Sequence, residues 1–214
     1  MNKNIMRRSL IYVVGVFFMS LGISFSIYAD LGVSPVSSLS YAVTLVTGIS
    51  VGTITVFTHF FYIGVQVLIT RVLDIKDAAI QLAIAFLFGF FIDASLFLVQ
   101  LVLPAPTNLA IQWLYLIISL FLIAMGLTGY TNVNFTLMPY DELTNVISKH
   151  FHMTYGHARI VGDVSNVLLA LAIGFIFLGS LGSIGIGTVV AAVSVGRILN
   201  WLMKLIKKYN LPLI

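Results

Sequence analysis

The sequence has no cysteine and very little charge. Only 8% of its 214 residues are charged, whereas 60% are hydrophobic. The lack of cysteine excludes disulfides, thiolate metal sites and cysteine nucleophiles. A soluble domain has about a quarter of its residues charged, so this composition indicates an integral membrane protein.

Two motifs of nucleotide-binding proteins are also absent: the Walker lysine loop and GxGxxG after a strand. Their absence argues against nucleotide-driven transport by this chain alone. Eleven Lys and Arg against seven Asp and Glu give a net charge of +4, scattered between long apolar runs. Such scattered charges do not make a surface that follows phosphates, so we expect no nucleic-acid partner.

Long apolar runs are what the sequence has in abundance. A helical crossing takes about 20 apolar residues. Six runs fit, at residues 9–29, 51–70, 78–103, 109–130, 160–179 and 181–203. The segments 35–48 and 139–152 begin with proline and are too short or too polar to cross, so they predict short re-entrant or interfacial helices. The predicted fold class is an all-α polytopic membrane protein, with residues 1–214 in a single membrane domain.

The basic residues predict how the spans are oriented. Lys and Arg concentrate in cytoplasmic loops. With six crossings and a cytoplasmic N-terminus, all eleven basic residues fall on the cytoplasmic side. If the two short segments also crossed, Arg71 and Lys76 would move outside. The first span resembles a signal peptide but has no small-residue cleavage site after it, so we expect it to be retained, with both termini cytoplasmic.

The chain also repeats itself at a distance of 104 residues. This shift superposes Gly22 on Gly126, Pro35 on Pro139, Leu39 on Leu143 and Gly52 on Gly156. Repeat one covers about residues 7–103 and repeat two about 109–207, with three crossings each. An odd number of crossings predicts inverted repeats, the plan of many secondary transporters, whose substrate site lies at the repeat interface.

The proline-led segments are the first candidates for a binding site. A helix start offers unpaired N–H groups that bind anions or other polar ligands. The candidate residues are Ser34, Pro35, Ser37 and Ser38 in the first half, and Pro139, Asp141 and Glu142 in the second. The alternative is that they are ordinary helix caps with a stabilising acidic first turn.

Ionisable residues inside the predicted spans are the second candidates, because each is costly in hydrocarbon. They are His59, Asp93 and Asp163, and Arg159 lies four residues before Asp163 on the same helical face. The 104-residue shift maps His59 onto Asp163 and Asp93 onto Arg197, which predicts His59 and Asp163 as a central pair. The alternative is that each satisfies a local backbone group or extends to the interface.

His150, His152 and His157 lie close together in the sequence. They lack an HExxH motif and a matching set of acidic ligands, so we interpret them as solvated or lipid-facing side chains. We predict no metal site and no cofactor.

Four stretches resemble the YczE/YyaS/YitT-type bacterial integral membrane proteins over nearly the whole chain: ADLGVSPVSSL, TGISVGT, GFFIDASLFL and GIGTVVAAVSVGRILNWL. That family has an acidic residue after each proline, where this chain has Ser37 and Asp141. Arg159 and Asp163 resemble its basic and acidic pair, and Asp93 resembles the acid of its G-x-[FI]-[IV]-D element. The resemblance implies a multi-pass protein of the bacterial inner membrane but no particular substrate, and Ser37 argues against a mechanism with two symmetric carboxylates.

The sequence therefore predicts a small secondary transporter, not an enzyme, that moves a small polar or anionic solute. Coupling to protons would use His59 and Asp163, since histidine titrates near physiological pH. One alternative is a substrate-binding subunit similar to those of energy-coupling-factor transporters, which needs a partner membrane subunit and an ATPase. Another is a membrane enzyme or lipid-handling protein that uses Asp141, Glu142 and the histidines. The expected partners are the lipid bilayer and the solute, and a homodimer stays an open alternative.

Overall fold

The computed structural model describes residues 3–133 and 135–208, and this part of the chain contains eight α-helices and no strand. The helices are α1 (Lys3–Ala29), α2 (Pro35–Thr47), α3 (Val51–Thr70), α4 (Ile75–Val102), α5 (Leu109–Thr131), α6 (Pro139–His150), α7 (Tyr155–Ile173) and α8 (Ile186–Lys208). A π-helical turn, Gly174–Leu178, continues α7. The predicted cytoplasmic ends of the chain lie outside the described residues.

Six helices are long and apolar enough to cross a membrane: α1, α3, α4, α5, α7 with its π-helical turn, and α8. The two proline-led segments form the short helices α2 and α6, of 13 and 12 residues. At 1.5 Å per residue each is about 20 Å long, against about 30 Å for the hydrocarbon layer. The predicted fold class, with six spans and two short helices, is confirmed.

Several predicted boundaries differ from the structure, among them the starts of the fifth and sixth spans. Helix α7 begins at Tyr155, not at residue 160, because the Thr154 side chain caps it by accepting a hydrogen bond from the His157 backbone. Helix α8 begins at Ile186, not at residue 181. Gly179 and Gly182 have φ of 64° and 58°, so the chain leaves the helix in left-handed turns that glycine favours.

The chain forms two compact units. The first comprises Met1–Ser34, Phe91–Phe135 and Gly185–Ile214, and the second comprises Pro35–Phe90 and Thr136–Ile184. The first unit therefore holds α1, α5 and α8, and the second holds α2, α3, α6 and α7. Each unit combines helices from both predicted repeats.

Helices α1 and α5 cross closely in the first unit, where glycines remove the side chains that would separate them. A methyl group on Gly22 would lie 2.9 Å from the carbonyl oxygen of Ser119, and one on Gly126 would lie 2.5 Å from that of Gly15. The second contact is the counterpart of the first under the 104-residue shift. Later residues of α1 meet earlier residues of α5, so the two helices run antiparallel.

Equivalent elements also keep the same spacing in the second unit. Helices α2 and α6 begin 104 residues apart, and so do α3 and α7. Helix α2 packs on α7 and α3 packs on α6, so each short helix lies against the long helix of the other half. The first turns of α2 and α6 are buried, which places their proline-led starts inside the unit.

Candidate polar site on helices α3, α6 and α7

The start of α6 holds a buried ion pair. Asp141 is 4% exposed, and Nη1 of Arg159 donates to its Oδ1 at 2.7 Å. The Tyr155 hydroxyl donates to the same carboxylate at 3.4 Å. A buried carboxylate is tolerated only with such partners, so the pair fixes the start of α6 against α7.

Asp163 lies beside this pair and has a different partner. Its Oδ1 accepts a hydrogen bond from the Tyr140 hydroxyl. Burial and the negative charge of Asp163 raise the pKa of Tyr140 above its ordinary value, so this tyrosine remains a neutral donor. Gly162 leaves room for the contact, because a methyl group there would lie 2.9 Å from the Tyr140 hydroxyl.

Aromatic rings connect the two acidic groups. The Arg159 guanidinium lies 5.7 Å from the centre of the Tyr140 ring, within the range of a cation–π interaction. The Tyr140 ring in turn lies 5.4 Å from the Tyr62 ring of α3. Tyr140 therefore contacts Arg159, Asp163 and α3 at once and is the centre of the site.

Helix α3 presents a line of buried polar side chains to this centre. Its members recur every three or four residues and so share one face. They are Thr55, His59, Tyr62 and Gln66. Gln66 at the far end donates to the carbonyl oxygen of Pro139 at 2.8 Å, which joins α3 to the start of α6.

Tyr62 and Asn166 connect the two halves directly. The Tyr62 hydroxyl donates to Oδ1 of Asn166 at 2.9 Å, and the two residues are 104 positions apart. They therefore occupy equivalent places in the predicted repeats. Residues related by a two-fold axis touch each other only where they lie near that axis.

Two buried polar atoms of this site have no hydrogen-bond partner within the described part of the chain. They are Nδ1 of His59 and Nδ2 of Asn166, and both side chains are 3% exposed. The His59 ring stacks on Phe88, with the ring centres 5.8 Å apart and the planes at 5°. The charge of Asp141 also acts on His59.

The structure brings together most of the predicted residues of the second half. Pro139, Asp141, Arg159 and Asp163 lie at one place, but His59 and Asp163 make no direct hydrogen bond, since Asp163 pairs with Tyr140. Glu142 accepts from Asn145 of its own helix at 3.2 Å.

The other first-half residues make local contacts or belong to the other unit. The Ser38 hydroxyl donates to the Pro35 carbonyl at 2.7 Å, and the Ser183 hydroxyl donates to the Ser38 carbonyl at 2.8 Å. Ser37 is buried in the same turn. Ser34 and Asp93 belong to the first unit, whereas the ion pair belongs to the second.

Several residues of the site were not predicted from the sequence. Tyr140 and Tyr155 were not singled out, because a tyrosine in a membrane protein is common and carries no charge. A signal for Tyr62 and Gln66 did exist, since with Thr55 and His59 they form a polar line at helical spacing. Asn166 is the residue that the 104-residue shift makes equivalent to Tyr62, so this shift could have identified it.

The chain has relatives along most of its length. The uncharacterised protein YyaS of Bacillus subtilis (strain 168) is 30% identical over 200 residues, 94% of either chain. The uncharacterised membrane protein YczE of the same organism is 24% identical over 202 residues, 94% of this chain and 87% of the relative. An uncharacterised protein of Haemophilus influenzae is 24% identical over 191 residues, 89% of this chain and 80% of the relative.

No solved structure matches the chain. The relatives confirm the resemblance to YczE and YyaS and, with the six apolar helices, indicate a multi-pass membrane protein. The match to a family of unknown function (DUF6198) extends over residues 6–204, and the chain belongs to that family.

Proposed function

We propose that this protein is a small secondary transporter of the bacterial plasma membrane, which moves a small polar or anionic solute by alternating access of two inverted repeats. The observation that carries the proposal is the Tyr62–Asn166 hydrogen bond, which joins equivalent positions within a buried polar cluster. Inverted repeats that meet at a polar centre are the plan of many secondary transporters.

The crossing of α1 and α5 supports the same two-fold relation in the first unit. Its glycine contacts are reciprocal under the 104-residue shift, and the two helices run antiparallel. Antiparallel helices at equivalent positions are what an inverted duplication produces. The repeats and their relation are thus supported by contacts in each unit separately.

The polar cluster supports transport over a purely structural role. Charged side chains within membrane helices are costly and usually mark a solute or ion pathway. Here Arg159 and Asp163 lie within one span, and two further polar side chains, His59 and Asn166, each keep an unpartnered atom. A core built only for stability leaves few such atoms unsatisfied.

Uptake into vesicles tests the proposal. Labelled amino acids, sugars, nucleosides or small carboxylates are added in turn outside vesicles that contain the full chain, with and without a pH gradient. We expect uptake of one class, and its loss in Asp163→Asn. Uptake by none of the classes, or uptake unchanged in both His59→Ala and Asp163→Asn, would rule the proposal out.

A second candidate is a substrate-binding subunit of a larger transporter. Helix α8 favours it, because only Gly187, Thr188 and Ala191 of that helix are buried, which leaves most of its surface for lipid or a partner. Affinity purification of the full chain from its native membrane distinguishes the two. A stoichiometric ATPase partner supports the subunit, whereas transport by the purified chain alone supports the first candidate.

A further inference from the structure

The polar site holds more negative than positive charge. Asp141 and Asp163 are both close to Arg159, but only Asp141 forms an ion pair with it. The guanidinium also acts electrostatically on Asp163 without bonding to it. With both carboxylates ionised, these three residues carry a net charge of minus one.

Asp163 is the carboxylate that carries this excess negative charge. In the part of the chain that the structure describes, its hydrogen-bond donor is the Tyr140 hydroxyl, which is neutral. Asp163 lies eight residues into the span that begins at Tyr155, about 12 Å along the helix axis. A carboxylate without an ion-pair partner at that depth is unfavourable, and a bound proton removes its charge.

We propose that Asp163 binds the proton that drives transport, one per cycle, while Asp141 and Arg159 remain a fixed ion pair. A proton from water on one side of the membrane forms an O–H bond with an Asp163 carboxylate oxygen and returns to water on the other side. The net charge of the three residues changes from minus one to zero and back. The coupling to solute rests on the proposed function, whereas proton binding does not.

A proton suits this site better than a metal cation. Hard cations require several oxygen ligands at once, whereas Asp163 has one hydroxyl partner and a guanidinium close by. The positive charge of Arg159 repels a second cation. A proton needs only a carboxylate oxygen and adds no ligand requirement.

The first half supplies no second proton site of this kind. The equivalents of Asp141, Arg159 and Asp163 under the 104-residue shift are Ser37, Thr55 and His59. His59 stacks on the ring of Phe88 and keeps an unpartnered nitrogen, and the positions that match the ion pair of Asp141 and Arg159 hold the uncharged residues Ser37 and Thr55. The asymmetry between the halves therefore predicts one proton per cycle instead of two.

Helix α7 and the helices α2, α3 and α6 of the same unit carry other ionisable groups, which are part of any pH dependence. Helix α2 has no charged side chain. The groups are Tyr155, His157 and Arg159 on α7; Tyr140, Asp141, Glu142, Lys149 and His150 on α6; His59 and Tyr62 on α3; and Tyr41 on α2.

Infrared difference spectroscopy on the purified full chain tests proton binding without any solute. A carboxyl group that gains a proton shows its own C=O band between alkaline and mildly acidic pH, where exposed carboxylates, with a pKa of about 4, stay ionised. We expect one such band in the parent, its loss in Asp163→Asn, and its retention in the matched control Asp77→Asn at the exposed start of α4. No band in the parent, a band that persists in Asp163→Asn, or a loss in Asp77→Asn would overturn the proposal.

Tyr140→Phe gives an independent readout should Asp163→Asn fail to fold. It keeps the ring and removes the hydrogen bond that stabilises the ionised carboxylate. The midpoint of the band should move to higher pH by about one to two units, and an unmoved midpoint contradicts the assignment. If the band behaves as expected but vesicles take up no solute, the proton site stands and the proposed transport function is wrong.

Discussion

The starts of α6 and α2 occupy equivalent places in the two halves and differ in chemistry. The α6 start has Asp141 in an ion pair with Arg159. Under the 104-residue shift the equivalents of these two residues are Ser37, at the α2 start, and Thr55. Both starts are buried and both begin with proline. A duplicated scaffold can thus keep its backbone geometry while one copy carries the charges and the other carries neutral groups.

This difference separates the roles of the two copies. Hydroxyl groups form hydrogen bonds with nearby backbone carbonyls, as Ser38 does with Pro35, and cost little to bury. Charged groups need partners from another helix, as Asp141 does with Arg159. Substitutions of the charged residues at the α6 start should therefore affect both folding and function. The equivalent substitutions at the α2 start should have small effects.

The largest effect should come from Arg159→Met. It leaves the carboxylate of Asp141 buried without a charge partner, which costs about 3 kcal/mol of stability. The equivalent change in the first half, Thr55→Val, removes only a hydroxyl and should cost below about 1 kcal/mol. Thermal unfolding of both full-length variants in detergent makes the comparison. Equal costs would show that the charged and neutral sides do not differ energetically.

The α1–α5 crossing tests whether the halves are equivalent in the first unit. Gly126→Ala and Gly22→Ala each place a methyl group against backbone atoms, so both should destabilise the protein by about 1–3 kcal/mol. The matched control is Gly64→Ala on α3, where the methyl group meets no atom within 4 Å, and helix propensity there favours alanine by about 1 kcal/mol. Unequal costs at Gly22 and Gly126 would argue against a two-fold relation.

Gly162→Ala tests whether Tyr140 is the centre of the site. The added methyl group displaces the Tyr140 hydroxyl and should cost about 1–2 kcal/mol through the lost hydrogen bond to Asp163. In a Tyr140→Phe background the hydroxyl is already gone, so the same change should cost less. A double-mutant cycle in thermal unfolding measures this coupling. Additive costs would mean that Gly162 acts through helix packing alone.

Much of the fold was predictable because it depends on local sequence features. Apolar length gave six spans, proline at 35 and 139 gave the two short helices, and the 104-residue shift gave their equivalence. The start of α8 was misplaced because Gly179 and Gly182 adopt left-handed turns inside an apolar run. Hydropathy does not distinguish such a run from a helix.

The site was less predictable because its partners lie far apart in the chain. Arg159 and Asp163 share a helical face and suggested a pair, but Arg159 reaches across to Asp141 on α6. Charge alone cannot show which of two carboxylates forms the ion pair with a guanidinium, since the pairing depends on how α6 packs on α7. Neutral groups such as Tyr140 and Asn166 give no charge signal at all, although they complete the network.

The smallest effect should come from Tyr62→Phe, which tests the contact between equivalent positions. The change removes the hydroxyl that donates to Asn166 and leaves the ring against Tyr140, so stability should fall by about 1 kcal/mol. Asn166→Leu in the same background should then add little, because the partner of the amide oxygen is already lost. If instead the two changes are additive, the hydrogen bond does not couple the halves, and the two-fold relation in the second unit rests on helix spacing alone.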